Sequence, residues 1–242
     1  MLTGETRLIA LIGDPVSHSL SPRMQNAAFA ARGLDWAYVA LAVGESALAA
    51  AVSGLVALGF RGANVTAPHK QTVGALCDEV DAFARRARSV NTLVIREGRV
   101  IGSTTDTEAL ADVESRRAVV VGAGGAARAF AAALAERGTD VRVFSRGGHW
   151  PPETAGADLV VHATPVRDEV LVELRPGQRV VDLAYRSDGR PTALVEAARA
   201  AGCERVVDGL EVLARQGAAS FERWTGVRAP LEVMRASLTF GA

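Results

Sequence analysis

Residues 118–128 read AVVVGAGGAAR: apolar β-formers meet a cluster of glycines and pass into an alanine-rich helical pattern. A buried strand that turns sharply into a helix, with no side chains in the way, leaves backbone N–H groups and a helix N-terminus facing open space, which suits a phosphate. Gly122, Gly124 and Ala127 fit the G-x-G-x-x-G/A spacing. The first glycine makes the turn, the second admits a pyrophosphate, and the small third residue lets the helix pack on the strand. With a strand before it and a helix over 125–137 after it, the stretch reads as the opening of a dinucleotide-binding unit rather than as a tight turn alone. A second strand over 141–145 leads into Phe144-Ser145-Arg146. An acidic residue at that strand end would take the ribose hydroxyls of NAD. An arginine accommodates a 2′-phosphate, so the reading favours NADP.

Further strands are expected over 158–163, 180–184 and 206–208, with a helix over 192–201. Eleven residues separate Arg146 from Asp158, and they include Gly147, Gly148, Pro151 and Pro152. A parallel crossover needs about a dozen residues or more. There is no room for both a helix and another strand, so the domain is expected to be a reduced Rossmann fold.

Upstream, residues 8–12, 36–43 and 62–65 read as strands, alternating with helices from about 22 to 31 and over 46–58. This rhythm predicts α/β architecture with a mainly parallel sheet, whose ligands collect beyond the carboxyl ends of the strands. A helix over 79–88 and two strands, 92–96 and 99–103, around the Glu97-Gly98 turn complete this half. Three loops then matter. Ser19 and Ser21 bracket Leu20 before Pro22; Ser21 is either a helix N-cap or, with Ser19, a ligand for a small carboxylate. His18 beside them is either a base or a satisfied loop side chain. After the third strand, Asn64-Val65-Thr66-Ala67-Pro68-His69-Lys70 puts a lysine next to two hydrogen-bonding side chains and a rigidifying proline. Asp106 follows the last strand of this half and either caps a helix over 107–113 or enters the cleft. Near the C-terminus a helix over 210–224 carries Gln216 at the edge of its apolar stripe, and Pro230 opens a last helix to about Leu238.

Composition narrows the partners. Apolar residues make up 49% of the 242 and charged residues 22%, enough to bury sizeable cores. Lys+Arg and Asp+Glu both number 27, so no net field recruits nucleic acid or an anionic membrane. No apolar run approaches the roughly 18 residues of a span, and the N-terminus lacks a signal-peptide pattern. Cys77 and Cys203, far apart and outside any C-x-x-C spacing, point to a reducing, cytoplasmic setting without a metal site.

Taken together, GDPVSHSLSP (13–22), NVTAPHK (64–70), SVNT (89–92), TTD (104–106), GAGGAAR (122–128) and GLEVLARQ (209–216) resemble, in this order, the motifs of the shikimate dehydrogenase family. The resemblance implies a substrate domain over 1–106, completed by helices within 212–242, and an NADP domain over 107–211. It implies NADP-dependent interconversion of shikimate and 3-dehydroshikimate in aromatic amino-acid biosynthesis by a monomer or homodimer. A quinate or aminoshikimate dehydrogenase of the same family, or a catalytically silent ligand-binding homologue, are the alternatives. Carried over by position, Ser19 and Ser21 resemble the carboxylate-binding pair. Asn64, Thr66, Asn91 and Gln216 resemble ligands of the ring hydroxyls, and Tyr185 a tyrosine near the substrate. Lys70 and Asp106 resemble the catalytic pair. Gly122, Gly124, Gly125, Ala126, Ala127, Ser145, Arg146, Thr164 and Gly209 resemble cofactor contacts. Gln25 stands where the family usually has histidine, Thr104 where the G-x-N-T-D motif has asparagine, and His162 where the N-A-T motif has asparagine; none of these touches Lys70 or Asp106.

Oxidising an alcohol sends a hydride to a nicotinamide and a proton to a base. A lysine, with an ordinary pKa of about 10.4, is protonated at neutral pH and suits the acid of the reductive direction. Lys70 is therefore expected to protonate the developing alkoxide during reduction.

Overall fold

The first sheet starts with β1 (Arg7–Gly13) because RLIALIG is apolar on both faces, as a strand covered on both sides must be. In a computed structural model that describes residues 2–239, the chain runs on through α1 (Ser21–Ala31), β2 (Trp36–Ala42), α2 (Leu48–Ala57), β3 (Gly62–Val65), β4 (Glu79–Val80), α3 (Ala82–Ala87), β5 (Thr92–Arg96) and β6 (Arg99–Ser103). It continues with β7 (Arg117–Val121), α4 (Gly125–Glu136), β8 (Asp140–Phe144), β9 (Leu159–His162), β10 (Arg179–Asp182), α5 (Ala193–Ala200), β11 (Arg205–Val207), α6 (Gly209–Thr225) and α7 (Leu231–Leu238). By internal packing the described residues divide into two units. One runs to Thr105 and resumes at Ala214; the other is Asp106–Leu213.

The first unit is built on a six-stranded sheet of order β2-β1-β3-β5-β6-β4. β2, β1 and β3 are parallel, β5 is antiparallel to both β3 and β6, and β4 pairs parallel with β6. The sheet is thus mixed, with its parallel part at the β2 end. Its core gathers Ile12, Val52, Leu55, Val65, Leu93 and Ile95. On the other face Phe29 of α1 stacks on Phe221 of α6, ring centroids 5.3 Å apart. Two expected helices come out shorter. The helix expected over 46–58 begins as a 3-10 turn, Glu45–Ala47, before α2. The one expected over 79–88 gives way to β4 and α3, which Asp81 caps by accepting from the Ala84 N–H. The β4 segment is held by long-range pairing to β6, which outweighs local propensity.

The second unit is a five-stranded parallel sheet of order β11-β10-β9-β7-β8, with Val119, Val121, Val160 and Val180 in its core. The chain steps outward from β7 to β8 and then reverses past β7 to β9. Between β8 and β9 there is neither helix nor further strand. The fold is therefore a reduced Rossmann sheet whose short side ends at β8. The reversal lies between β7 and β9, the switch point at which open α/β sheets leave a crevice. Among the described residues no helix is long and apolar enough to cross a membrane.

Candidate active site

In the first unit the ligand end of the parallel strands is shaped by the segment after β3. The Thr66 N–H donates to Ile12 O, and the Asp14 N–H to Ala67 O. The Ala67–Pro68 peptide is cis. His69, 1% exposed, donates from Nε2 to Val43 O at 2.6 Å. The Val90 N–H donates to Lys70 O at 2.8 Å. The backbone at Lys70 is thereby clamped from β5's approach on one side and from β2's end on the other, and the lysine itself is half-buried. A buried histidine on one side of Lys70 and a proline two residues before it serve one purpose, fixing where the ammonium stem starts.

Beside this segment lies an uncharged hydrogen-bonded knot. Asn64, on the buried strand β3, accepts at Oδ1 from the Tyr38 hydroxyl and donates from Nδ2 to Asn91 O, Thr92 Oγ1 and Ser220 Oγ at 3.0–3.2 Å. Asn91 accepts at Oδ1 from the Thr105 N–H at 2.8 Å and from the Thr92 hydroxyl, and donates from Nδ2 to Thr105 Oγ1 and Gln216 Oε1. Ser220, one turn after Gln216 on α6, sits within 3.1 Å of the Thr92 and Thr105 hydroxyls. Three predicted residues, Asn64, Asn91 and Gln216, are thus joined by Tyr38, Thr92, Thr105 and Ser220, which the sequence reading passed over. Thr92 and Thr105 were within reach of it, since they adjoin Asn91 and Asp106 in SVNT and TTD. Ser220 follows Gln216 by one helical turn. Tyr38 had no signal beyond its inward place on a strand. A fully satisfied buried network of this kind holds its members in one geometry. Its amides and hydroxyls carry no charge and supply both donors and acceptors.

Ser21 does not cap α1. It is the first helical residue and Pro22 the second, and the cap position is Leu20, with no side-chain cap bond. The Ser19 Oγ instead accepts from the Ser21 N–H at 3.2 Å. Proline at the second helical position shifts the helix start one residue earlier than expected, which leaves both hydroxyls at the uncapped N-terminus. His18 is exposed and Thr66 half-buried.

The second unit carries Asp106, Tyr185 and the residues predicted for the cofactor. Asp106 is 5% exposed and opens a 3-10 turn, Asp106–Leu110, in place of the helix expected over 107–113. Tyr185 follows β10 and lines a cavity of about 120 Å³ with Arg190, Arg199 and Asp208. Gly122 has φ +135°, and a Cβ there would lie 2.5 Å from Ala163 O. Only glycine fits between the two strand ends. Gly124 is the α4 N-cap, has no side-chain cap bond, and has nothing within 4 Å where a Cβ would project. Ala127 is 1% exposed against the sheet, while Gly125 is buried and Ala126 half-buried. The turn, the open approach and the close packing are the three roles that the glycine spacing predicts, and an uncapped 12-residue helix facing open space fits a diphosphate. After β8 the Ser145 N–H donates to His149 O and the Gly148 N–H to Ser145 O, a tight loop in which the Arg146 guanidinium lies 5.7 Å over the Trp150 ring. Thr164 follows β9 at the crevice. Gly209 is glycine for a packing reason, since a Cβ would lie 2.1 Å from Ala184 O.

With this geometry in view, residues 11–93 match the family model described as the shikimate dehydrogenase substrate binding domain, and residues 209–239 that of the shikimate 5′-dehydrogenase C-terminal domain. The chain is 42% identical over 281 positions to the shikimate dehydrogenase (NADP(+)) of Rubrobacter xylanophilus, covering 98% of this chain and 97% of the relative. It is also 42% identical to the enzyme of that name from Moorella thermoacetica, covering 95% and 91%. The 281 aligned positions exceed the chain's 242 residues, so several dozen positions have no counterpart here. Among solved structures, shikimate 5-dehydrogenase from Thermus thermophilus in complex with NADP(H) and shikimate superposes with a TM-score of 0.85 at 34% identity, over 96% of this chain and 98% of that one.

Proposed function

The chain belongs to the shikimate dehydrogenase family, and from that premise we propose that it catalyses the reversible NADP-dependent oxidation of the shikimate 3-hydroxyl to 3-dehydroshikimate. The observation that carries this reading is the neutral knot of Asn64, Asn91 and Gln216 beside the clamped Lys70 segment, a donor and acceptor set suited to a polyhydroxylated ring.

Ser19 and Ser21, at the uncapped start of α1, take the substrate carboxylate, which the positive end of that helix also favours. Asn64, Thr66, Asn91 and Gln216 read the ring hydroxyls, with Tyr185 as a further substrate contact. In the oxidative direction Lys70 receives the hydroxyl proton as the C3 hydride leaves. In reduction it returns that proton to the developing alkoxide, with Asp106 as the carboxylate of the catalytic pair. NADP, when bound, supplies the hydride acceptor. For it the Gly122–Ala127 turn offers backbone N–H groups to the diphosphate, and Ser145 and Arg146 offer a hydroxyl and a guanidinium to the 2′-phosphate. Substrate binding is thus assigned to residues 1–106 with 212–242, and cofactor binding to 107–211. The enzyme is read as cytoplasmic, monomeric or homodimeric, with its two cysteines unpaired.

The test is to follow nicotinamide reduction with NADP and with NAD against shikimate, quinate and aminoshikimate. Turnover highest with NADP and shikimate is expected. Binding of these ligands without turnover by any pair would overturn the reading.

A further inference from the structure

At the crevice between β7 and β9 the structure holds a buried relay of three side chains. His162 ends β9, 2% exposed, in register with Asp182 on β10 and Val121 on β7. Its Nδ1 lies 2.8 Å from Asp182 Oδ1, and its Nε2 lies 2.6 Å from Thr164 Oγ1. Asp182, 0% exposed, accepts at Oδ1 also from the Ala184 N–H at 3.0 Å and at Oδ2 from the Thr192 hydroxyl, which in turn caps α5 through the Val195 N–H. A carboxylate accepts hydrogen bonds only, so the ring N–H is on Nδ1. Nε2 of the neutral ring then carries a lone pair, and the proton between it and Thr164 belongs to the threonine hydroxyl. Thr164 Oγ1 also receives the Val166 N–H at 3.3 Å. With its one proton committed to His162 and one lone pair to the Val166 N–H, the hydroxyl keeps a second lone pair for a ligand.

From this geometry we infer that His162, oriented by Asp182, is a positioning residue that sets Thr164 as a hydrogen-bond acceptor for the bound dinucleotide and reverses it to a donor when the ring is protonated. The inference rests on the reading of this crevice as the NADP site. An acceptor at this point selects the donors of the cofactor, its ribose hydroxyls and carboxamide N–H, over its phosphates, which only accept. Protonation puts a hydrogen on Nε2 that donates to Thr164 Oγ1, so the hydroxyl proton swings outward and the ligand's donor loses its partner. Asp182 from β10 is the one charged group bonded to the ring among the described residues. β7 presents Val121, the start of α5 presents the Thr192 hydroxyl, and the loop after β9 presents Thr164. An asparagine at 162 has no ring nitrogen to take up a proton, so this dependence belongs to the histidine.

The experiment is an equilibrium titration of the full chain with NADP, without substrate, between pH 5.5 and 8, on wild type, His162→Asn and Thr164→Val. The 2′-phosphate of NADP titrates in the same range for every protein, so the ratio of dissociation constants isolates the relay. The wild-type constant, divided by that of His162→Asn, is expected to rise about three- to tenfold from pH 8 to 5.5, the weight of one neutral hydrogen bond. Thr164→Val is expected to bind more weakly at pH 8 and to lose the excess pH dependence, and Thr164→Ser to restore both. A ratio constant within twofold across the range overturns the inference while leaving the cofactor reading intact. Absence of NADP binding by wild type at every pH overturns both. Should His162→Asn not fold, the half-buried Thr164 variants decide alone: a wild-type-like pH profile in Thr164→Val refutes the relay. Nitrogen NMR of the His162 ring adds a readout independent of ligand. It is expected to show the proton on Nδ1 at pH 8, and the Nε2 tautomer would refute the assignment.

Discussion

The two sheets end in opposite kinds of surface. At the end of β3 the first unit presents side chains, amides and hydroxyls locked to each other by partners that lie up to 156 residues apart in sequence. At the end of β7 the second unit presents almost none, only glycine backbone and an uncapped helix. A polyol has many similar hydroxyls, and telling them apart needs fixed donors and acceptors at several points. A diphosphate has charge and accepts anywhere, so bare N–H groups suffice and a side chain would only stand in the way. The difference teaches that specificity costs ordered side chains, whereas charge recognition needs space.

The sharpest way to break the comparison is at Lys70, where chemistry rather than recognition is at stake. Lys70→Ala is expected to lower kcat about a thousandfold, within the 10²–10⁴ range of general acid–base catalysis, with KM for shikimate changed less than about threefold. Steady-state kinetics would show this, and undiminished kcat would remove Lys70 from the mechanism. Next comes the knot. Asn91→Ala removes the acceptor of the Thr105 N–H and the amide that donates to Gln216 Oε1. It should raise KM for shikimate about tenfold or more and cost about 1–3 kcal/mol in urea unfolding, while the NADP dissociation constant stays put. A shift in NADP affinity of similar size would mean that the two recognition modes are not separate.

The glycines give the matching break in the second unit, and they differ from each other. Gly122→Ala forces a Cβ onto Ala163 O at φ +135° and should destabilise by about 1–3 kcal/mol. Gly124→Ala meets open space, so stability should fall by about 1 kcal/mol or less, yet NADP affinity should drop because the approach is filled. Thermal melts beside ligand titrations separate the two outcomes. Arg146→Ala sharpens the charge side further: the preference for NADP over NAD is expected to fall about tenfold or more, as loss of a charge-assisted bond implies.

The smallest effect concerns acid. Burial raises the Asp158 carboxyl, but the Ser115 hydroxyl and the Arg116 and Arg117 N–H groups together hold it below its ordinary value. A lowered folded pKa means stability that is present above the unfolded value of about 3.9 and is lost as pH falls through the folded one. The Tm gap between wild type and Asp158→Asn should therefore be full at pH 7 and close below about pH 3.9. A gap unchanged down to pH 2 would show that the carboxylate charge is not what matters there.

Much of the fold was legible in the chain. The strands 62–65, 92–96 and 99–103 stand where alternation and the Glu97-Gly98 turn put them. The short second domain follows from the eleven residues between Arg146 and Asp158, since a count of residues limits what a crossover can contain. The departures fall at helix starts. Pro22 moved the beginning of α1 one residue earlier than expected, to Ser21, and β4 took two residues that local pattern gave to a helix. At such ends one long-range bond outweighs several weak local preferences.

The sequence by itself determined period, turn and motif: which segments bury a face, where the glycines bend the chain, and which family the motifs resemble. These are local quantities, written within a few residues of where they act. Only the tertiary structure decided the partners. Tyr38, Thr105 and Ser220 completing the knot, and Asp182 turning His162 toward Thr164, are pairings between segments remote in sequence. A hydrogen bond constrains two atoms in space and leaves no periodic trace along the chain, so it becomes visible only when the strands have been laid side by side.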